Sequence, residues 1–294
     1  MKKLTVFCAA ACLAASAAAQ NHPDLHEVLD RQKGRNLIEI PKGTYTLDVR
    51  SNGPYKFHNL TDVHINGNGS TVICNNQEQA FSFYNCVRVE LRDLTIDYDP
   101  LCFTQGEITA VAEDGSWFDV RIDEGYPVTG LAANRVQFYD PQTRLLKRNS
   151  ITTYTSNYSA LKQLGHNLFR AVKNGTWSAG EQVGDLVVMD VKTDKPNAGV
   201  HTVMLNKCYN TKLENVTVYG SNTFSFFEKE GYANEYRNCV VDRGPMPQCI
   251  RPRLRSGNAD GIHSSQARKG PTVTGCKVGH NGDDCIIVLS LIHI

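Results

Sequence analysis

The chain has 294 residues, with 31 Lys or Arg against 30 Asp or Glu and a formal net charge of +1. A near-neutral chain has no electrostatic reason to seek nucleic acid or anionic lipid. The length suits one large domain or two small ones, with room for a sizeable core.

The opening residues, MKKLTVFCAAACLAASAAAQ, have the three parts of a secretory signal. Lys2 and Lys3 supply the positive end, residues 4–15 a short apolar stretch, and Ala17-Ala18-Ala19 a small-residue cleavage site before Gln20. That places the protein in a secreted or periplasmic setting. The apolar stretch is too short to span a bilayer, and no later segment is long or apolar enough to do so.

A short helix is expected over 23–33 (PDLHEVLDRQK), ended by Gly34. Residues 37–47 (LIEIPKGTYTL) read as strand, turn, strand, with Pro41 and Gly43 at the bend. A repeat follows. VHINGNGSTVI (63–73), VRVELRDLTID (87–97) and TKLENVTVYG (211–220) each run a short alternating strand into an Asn, Asp or Gly corner and out again. The step from Val63 to Val87 is 24 residues, in the range of a solenoid. Short β runs with corners and no intervening helices predict a right-handed parallel β-helix over 20–102 and 196–288, with inward side chains stacked in ladders.

The pattern breaks at 103–195. Segments 106–123 (GEITAVAEDGSWFDVRID) and 180–191 (GEQVGDLVVMDV) alternate and carry Asp-Gly or Gly-Asp turns, so they read as half-buried antiparallel hairpins of an inserted small β-barrel. Trp117 and Trp177 fall inside it, where a core role is expected. Coils resume at Val203. The last six residues, 289–294, have no turn chemistry and read as a non-native tail on a chain that naturally continues.

Of the ten cysteines, two lie in the leader. Cys86, Cys208, Cys239 and Cys276 each follow a polar or Gly residue and precede a strand-like run. That predicts buried ladder positions, where a free thiol packs as a small apolar group. No CxxC pair suggests a metal site, and no cofactor is expected.

The chemistry concentrates in 253–286 (RLRSGNADGIHSSQARKGPTVTGCKVGHNGDDCI). Asp260 in NADG and Asp283-Asp284 in GDD are 23 residues apart, close to one coil, so they should meet on one face. Crowded carboxylates raise at least one pKa, which supplies the protonated acid and ionised base of glycoside hydrolysis. Gly261 and Gly282 would leave room for a sugar. His263, three residues past Asp260, is a candidate donor to a sugar hydroxyl. Glu230, with Glu228, could reach the same face from the preceding coil. Arg255 and Arg268 are further candidates for binding sugar hydroxyls. The wider runs Arg251, Arg253, Arg255 and Arg268-Lys269 also read as solvated surface charge.

NADG followed one coil later by GDD resembles the inverting polygalacturonase-like hydrolases of glycoside hydrolase family 28. The wider run RLRS-NADGIHSSQARKGP, with LTIDYDPLCFTQGEITAV (94–111) and a barrel inserted into a β-helix, is more similar to glycoside hydrolase family 110, exo-acting α-1,3-galactosidases. The resemblance covers roughly 37–286. It implies release of terminal α-galactose from a glycan with inversion and no metal, with Asp260, Asp283 and Asp284 at the catalytic positions. By analogy Asp283 is the general acid, and Asp260 and Asp284 hold and deprotonate water. The family's further coils after GDD are missing here. Two rival readings stay open: a pectate-type polysaccharide lyase using Ca²⁺ and a basic residue, and a glycan-binding β-helix whose aspartates only cap turns.

Overall fold

A computed structural model describes residues 22–191, 200–246, 249 and 251–289. The leader, 192–199 and 290–294 lie outside the described residues, so the cleavage site and most of the expected tail do too. No helix of the described residues is long and apolar enough to cross a membrane.

The molecule is mostly β. Its first element, the helix Leu25–Asp30, is shorter than the sequence suggests; the Asp24 side chain caps it by accepting from the His26 amide at 3.0 Å. Strands Leu37–Glu39 and Thr44–Leu47 flank the expected bend. From there the chain alternates between two parallel sheets, one of nine strands and one of six. In the six-stranded sheet Phe81, Val203, Phe226, Ile262 and Ile286 lie in register on successive strands. In the nine-stranded sheet Val63 pairs with Val89, a step of 26 rather than the 24 read from Val63 to Val87. The difference is local: Gly67-Asn68-Gly69 bulges the strand Thr61–Cys74 between Asn66 and Ser70.

Inward positions such as Phe83, Leu91, Leu205, Leu213 and Tyr236 form one continuous apolar core between the sheets. Cys86, Cys208 and Cys239 are buried, Cys276 is partly buried, and all four are free thiols. They form two ladders instead of one. The Tyr209 amide bonds the Cys86 carbonyl, and the Lys277 amide bonds that of Cys239, so Cys86 stacks with Cys208 at one corner and Cys239 with Cys276 at another. On the last described strand, Ile286–Leu289, the inward-facing Ile286 and Val288 are exposed because that strand is paired on one side only.

The insertion forms a seven-stranded antiparallel sheet that curls almost closed, from Phe103–Val111 to Leu186–Val191. Phe103–Val111 and Trp117–Ile122 make the expected hairpin. The 180–191 segment does not make one. Its strand Leu186–Val191 lies between Phe103–Val111 and Leu131–Tyr139 and is buried at every position. Trp117 and Trp177 sit at the rim with partial exposure. Arg170 stacks over the first and Lys173 over the second.

Of the run Arg251, Arg253 and Arg255, only Arg251 keeps partial exposure to solvent. Arg253 and Arg255 are 2% and 0% exposed. Arg255 donates at 2.6 Å to Asp190 on the last strand of the insertion, and to Gln137 and Asn258. Burial pushes the Asp190 carboxyl up to about 6, against the pull of Arg255. Removing one member of a buried pair strands the other charge. Arg255→Met is therefore expected to cost about 3–5 kcal/mol, while the double change with Asp190→Leu recovers most of that loss; urea denaturation of the three variants measures it.

Candidate functional site

The register of the six-stranded sheet builds the site. Three equivalent backbone bonds, each 3.0 Å, run from Thr202 to Phe224, from Ser225 to Asp260 and from Gly261 to Asp284. They put His201, Phe224, Asp260 and Asp284 in one column, each two residues before its strand's in-register residue. Met204, Phe227, His263 and Ile287 form the neighbouring outward column on the same sheet. The NADG and GDD turns therefore meet at one end of adjacent strands, and Asp284 rather than Asp283 stands in register with Asp260.

The three aspartates differ in environment. Asp260 is 5% exposed, while Asp283 and Asp284 face solvent. Burial raises the Asp260 carboxyl pKa. A hydrogen bond from His263 opposes this, and the charges of Asp283 and, more weakly, Asp284 add to the rise. His263 Nδ1 lies 2.6 Å from Asp260 Oδ2. The His263 ring stacks face to face on Phe224 at 4.2 Å, and Phe224 stacks in turn on His201 at 4.7 Å. Phe227 covers the rings from the side. His201 also holds the Thr223 hydroxyl at 2.8 Å. The stack leaves His263 little choice of ring plane and aims its Nδ1 at Asp260.

Gly261 and Gly282 serve the contact between successive turns. A Cβ on Gly261 would stand 2.2 Å from Val278 Cγ1, and one on Gly282 would stand 2.3 Å from the Asn258 carbonyl. Their lack of a side chain lets the two turns close up under the acids, and no sugar enters that argument.

The other expected ligands are elsewhere. Arg255 is sealed in the seam below the site, its terminal nitrogens bonded to protein, so it holds Asn258 of the NADG turn and does not face the aspartates' open side. Glu230 follows the far end of the strand Phe226–Lys229, with Lys207 3.8 Å away. Arg268 is exposed beyond the far end of Ile262–Ser265. Six extended residues, roughly 20 Å, separate Asp260 from the corner where Glu230 sits. Glu228 points inward. It is 1% exposed and accepts from Ser264 at 2.6 Å and Asn234 at 3.0 Å.

Sequence reasoning missed the contribution of the insertion. Arg135, on its strand Leu131–Tyr139, donates at 2.7 Å both to Asp283 Oδ2 and to the Asn258 carbonyl. Two residues on, Gln137 donates to the Gly282 carbonyl at 2.9 Å. No local motif marks either residue. The step of 23 residues from His201 to Phe224 is a signal of the column, but the next step, to Asp260, is 36 and hides it. A separate cavity of about 280 Å³ opens in the insertion between Glu113, Asp114, Trp177 and Glu181. Among the described residues no three of His, Cys, Asp and Glu converge as metal ligands.

No protein-family model matches the chain, and a search of the curated proteins finds no match.

Two measurements follow from these environments. Asp283→Asn removes a negative charge near Asp260, so the Asp260 titration midpoint should fall, as read by carboxyl ¹³C NMR. His201 is held neutral by burial, its pKa lowered to about 4 with the nearby His263 adding to the effect. Its ordinary value is about 6.5, so between about 4 and 6.5 the unfolded chain binds the extra proton. Stability is then full above that window and falls as pH drops through it, by about 2–3 kcal/mol at pH ~4.5. His201→Phe keeps the ring stack and should flatten this loss in urea midpoints taken at pH ~7.5 and ~4.5.

Proposed function

We propose that this chain is an exported right-handed parallel β-helix that acts as an inverting glycoside hydrolase, releasing terminal α-linked galactose from glycans. The observation that carries the reading is the meeting of three acids in unlike surroundings. Asp260 is buried, raised by its surroundings and held by His263, while Asp284 stands in register with it and Asp283 is bonded to Arg135. Glycoside hydrolysis needs two carboxyls whose protonation is pushed apart on either side of one bond. Coil steps of 23, 24 and 26 residues between parallel partners support the β-helix.

In this reading the sugar lies over the solvent-facing side of the two turns. Asp260, the acid most easily kept protonated, is the better placed proton donor to the leaving oxygen. Asp283 accepts from Arg135 through Oδ2 and keeps Oδ1 for the attacking water, a role it shares with Asp284. Asp284 stands in register with Asp260 and is free to hold the attacking water. His263 fixes Asp260; the proton that Asp260 gives to the leaving oxygen is balanced by the one Asp284 takes from water, and the two acids re-equilibrate through solvent once the products leave.

The test is incubation of the full chain with α-1,3-galactosyl oligosaccharides and with polygalacturonate, following the first-formed anomer by NMR. β-Galactose should appear first. Asp260→Asn and Asp283→Asn should each lower kcat about 1,000-fold or more with the circular dichroism unchanged. An unsaturated product absorbing in the near ultraviolet would overturn hydrolysis in favour of a lyase. Glycan binding that survives Asp283→Asn, with no turnover by the unsubstituted chain, would overturn the enzyme reading altogether.

A further inference from the structure

We infer that Arg135, carried by the inserted antiparallel sheet, is a positioning residue that fixes the Asp283 carboxylate relative to the Asp260 turn. The inference deepens the hydrolase reading and rests on it for its kinetic consequences. Its guanidinium spans two coils. Nη1 donates to the Asn258 carbonyl, two residues before Asp260, and Nη2 donates to Asp283 Oδ2, both at 2.7 Å. The spacing of the two acid turns is thereby set by one rigid, planar group.

The guanidinium is itself held. Its side chain is 15% exposed. Its strand pairs at Arg135 with Tyr154, whose ring lies 5.8 Å below the guanidinium carbon. Gln137, on the same face of the strand, takes the Gly282 carbonyl. Asn258 cannot retreat from Arg135, because its side chain donates to the Cys102 carbonyl at 2.8 Å and accepts from Arg255 at 2.9 Å. The charged groups around Asp283 are thus Arg135 from the insertion, Asp260 with its partner His263 from the preceding coil, and Asp284 beside it in the chain. Arg135 is the cation that bonds Asp283 directly. Lysine would keep the charge but could not serve both turns at once.

The test compares the full-length chain with Arg135→Gln and Arg135→Lys. The Asp283 carboxyl ¹³C signal at fixed neutral pH should move in Arg135→Gln, where its bonded donor is gone, and the amides of 257–261 and 282–284 should exchange about tenfold faster. Arg135→Lys should restore part of both changes. On a galactosyl substrate kcat should fall about 100-fold, with KM changed by no more than about threefold. Unmoved amide exchange at the two turns in folded Arg135→Gln overturns the inference, as does an unmoved kcat. Should Arg135→Gln not fold, the same changes are read from Arg135→Lys, where they must appear at reduced size. Absence of turnover by the unsubstituted chain would count against the hydrolase reading alone, since exchange at the two turns still decides the role of Arg135.

Discussion

The arrangement depends on two buried arginines, Arg253 and Arg255, that fasten the insertion to the parallel sheets, with the partly exposed Arg251 beside them. Each of the three meets an acid at the junction. Arg251 reaches Glu107 at 2.7 Å, Arg253 grips Asp97 through both terminal nitrogens, and Arg255 takes Asp190. Asp97 ends the parallel part just before the insertion, and Asp190 ends the insertion just before the chain returns. The segment 251–255 therefore closes the point where the chain leaves the sheets and comes back. Taking charge out of water is costly unless the partner geometry is good, so this seam tolerates few alternative placements of the insertion.

That rigidity reaches the acids within a few residues. Arg255 bonds Asn258, Asn258 lies against Gly282, and Gly282 precedes Asp283. From the other side, the strand Leu131–Tyr139 holds the same turns through Arg135 and Gln137. The insertion is the wall on which the NADG and GDD turns are set. The parallel sheets supply vertical spacing through backbone pairing, and the insertion supplies lateral position through side chains.

What was legible in the sequence follows from this division. Alternation and corner residues reveal pairing along a strand, so the parallel segments, the switch to antiparallel structure at Phe103 and the meeting of NADG with GDD could all be read locally. The in-register column that adds His201 and Phe224 also has a local signature, hidden by the uneven steps between strands, such as 36 residues from Phe226 to Ile262. Contacts across the seam have no such signature. Arg255 and Asp190 are 65 residues apart, and Arg135 and Asp283 are 148 apart. Nothing in RLRS distinguishes an arginine facing a sugar from one facing a buried aspartate. Glu230 and Arg268 were misplaced for a simpler reason. Glu230 lies 30 residues before Asp260 and Arg268 lies 8 after it, but a strand's length separates the two ends of a sheet, and only one end carries the aspartates.

The burial of Asp260 comes from the same stacking. The strand Ile262–Ser265 has neighbours on both sides, Phe226–Lys229 and Ile286–Leu289, so the turn that feeds it is enclosed and Asp260 loses most of its water. Burial in that turn raises the Asp260 carboxyl pKa. His263 singles out Asp260. Its ring, pinned by Phe224 and Phe227, can reach Asp260 and shares no bond with the exposed pair. In the hydrolase reading, the column of rings that fixes His263 is what sets Asp260 apart as the proton donor.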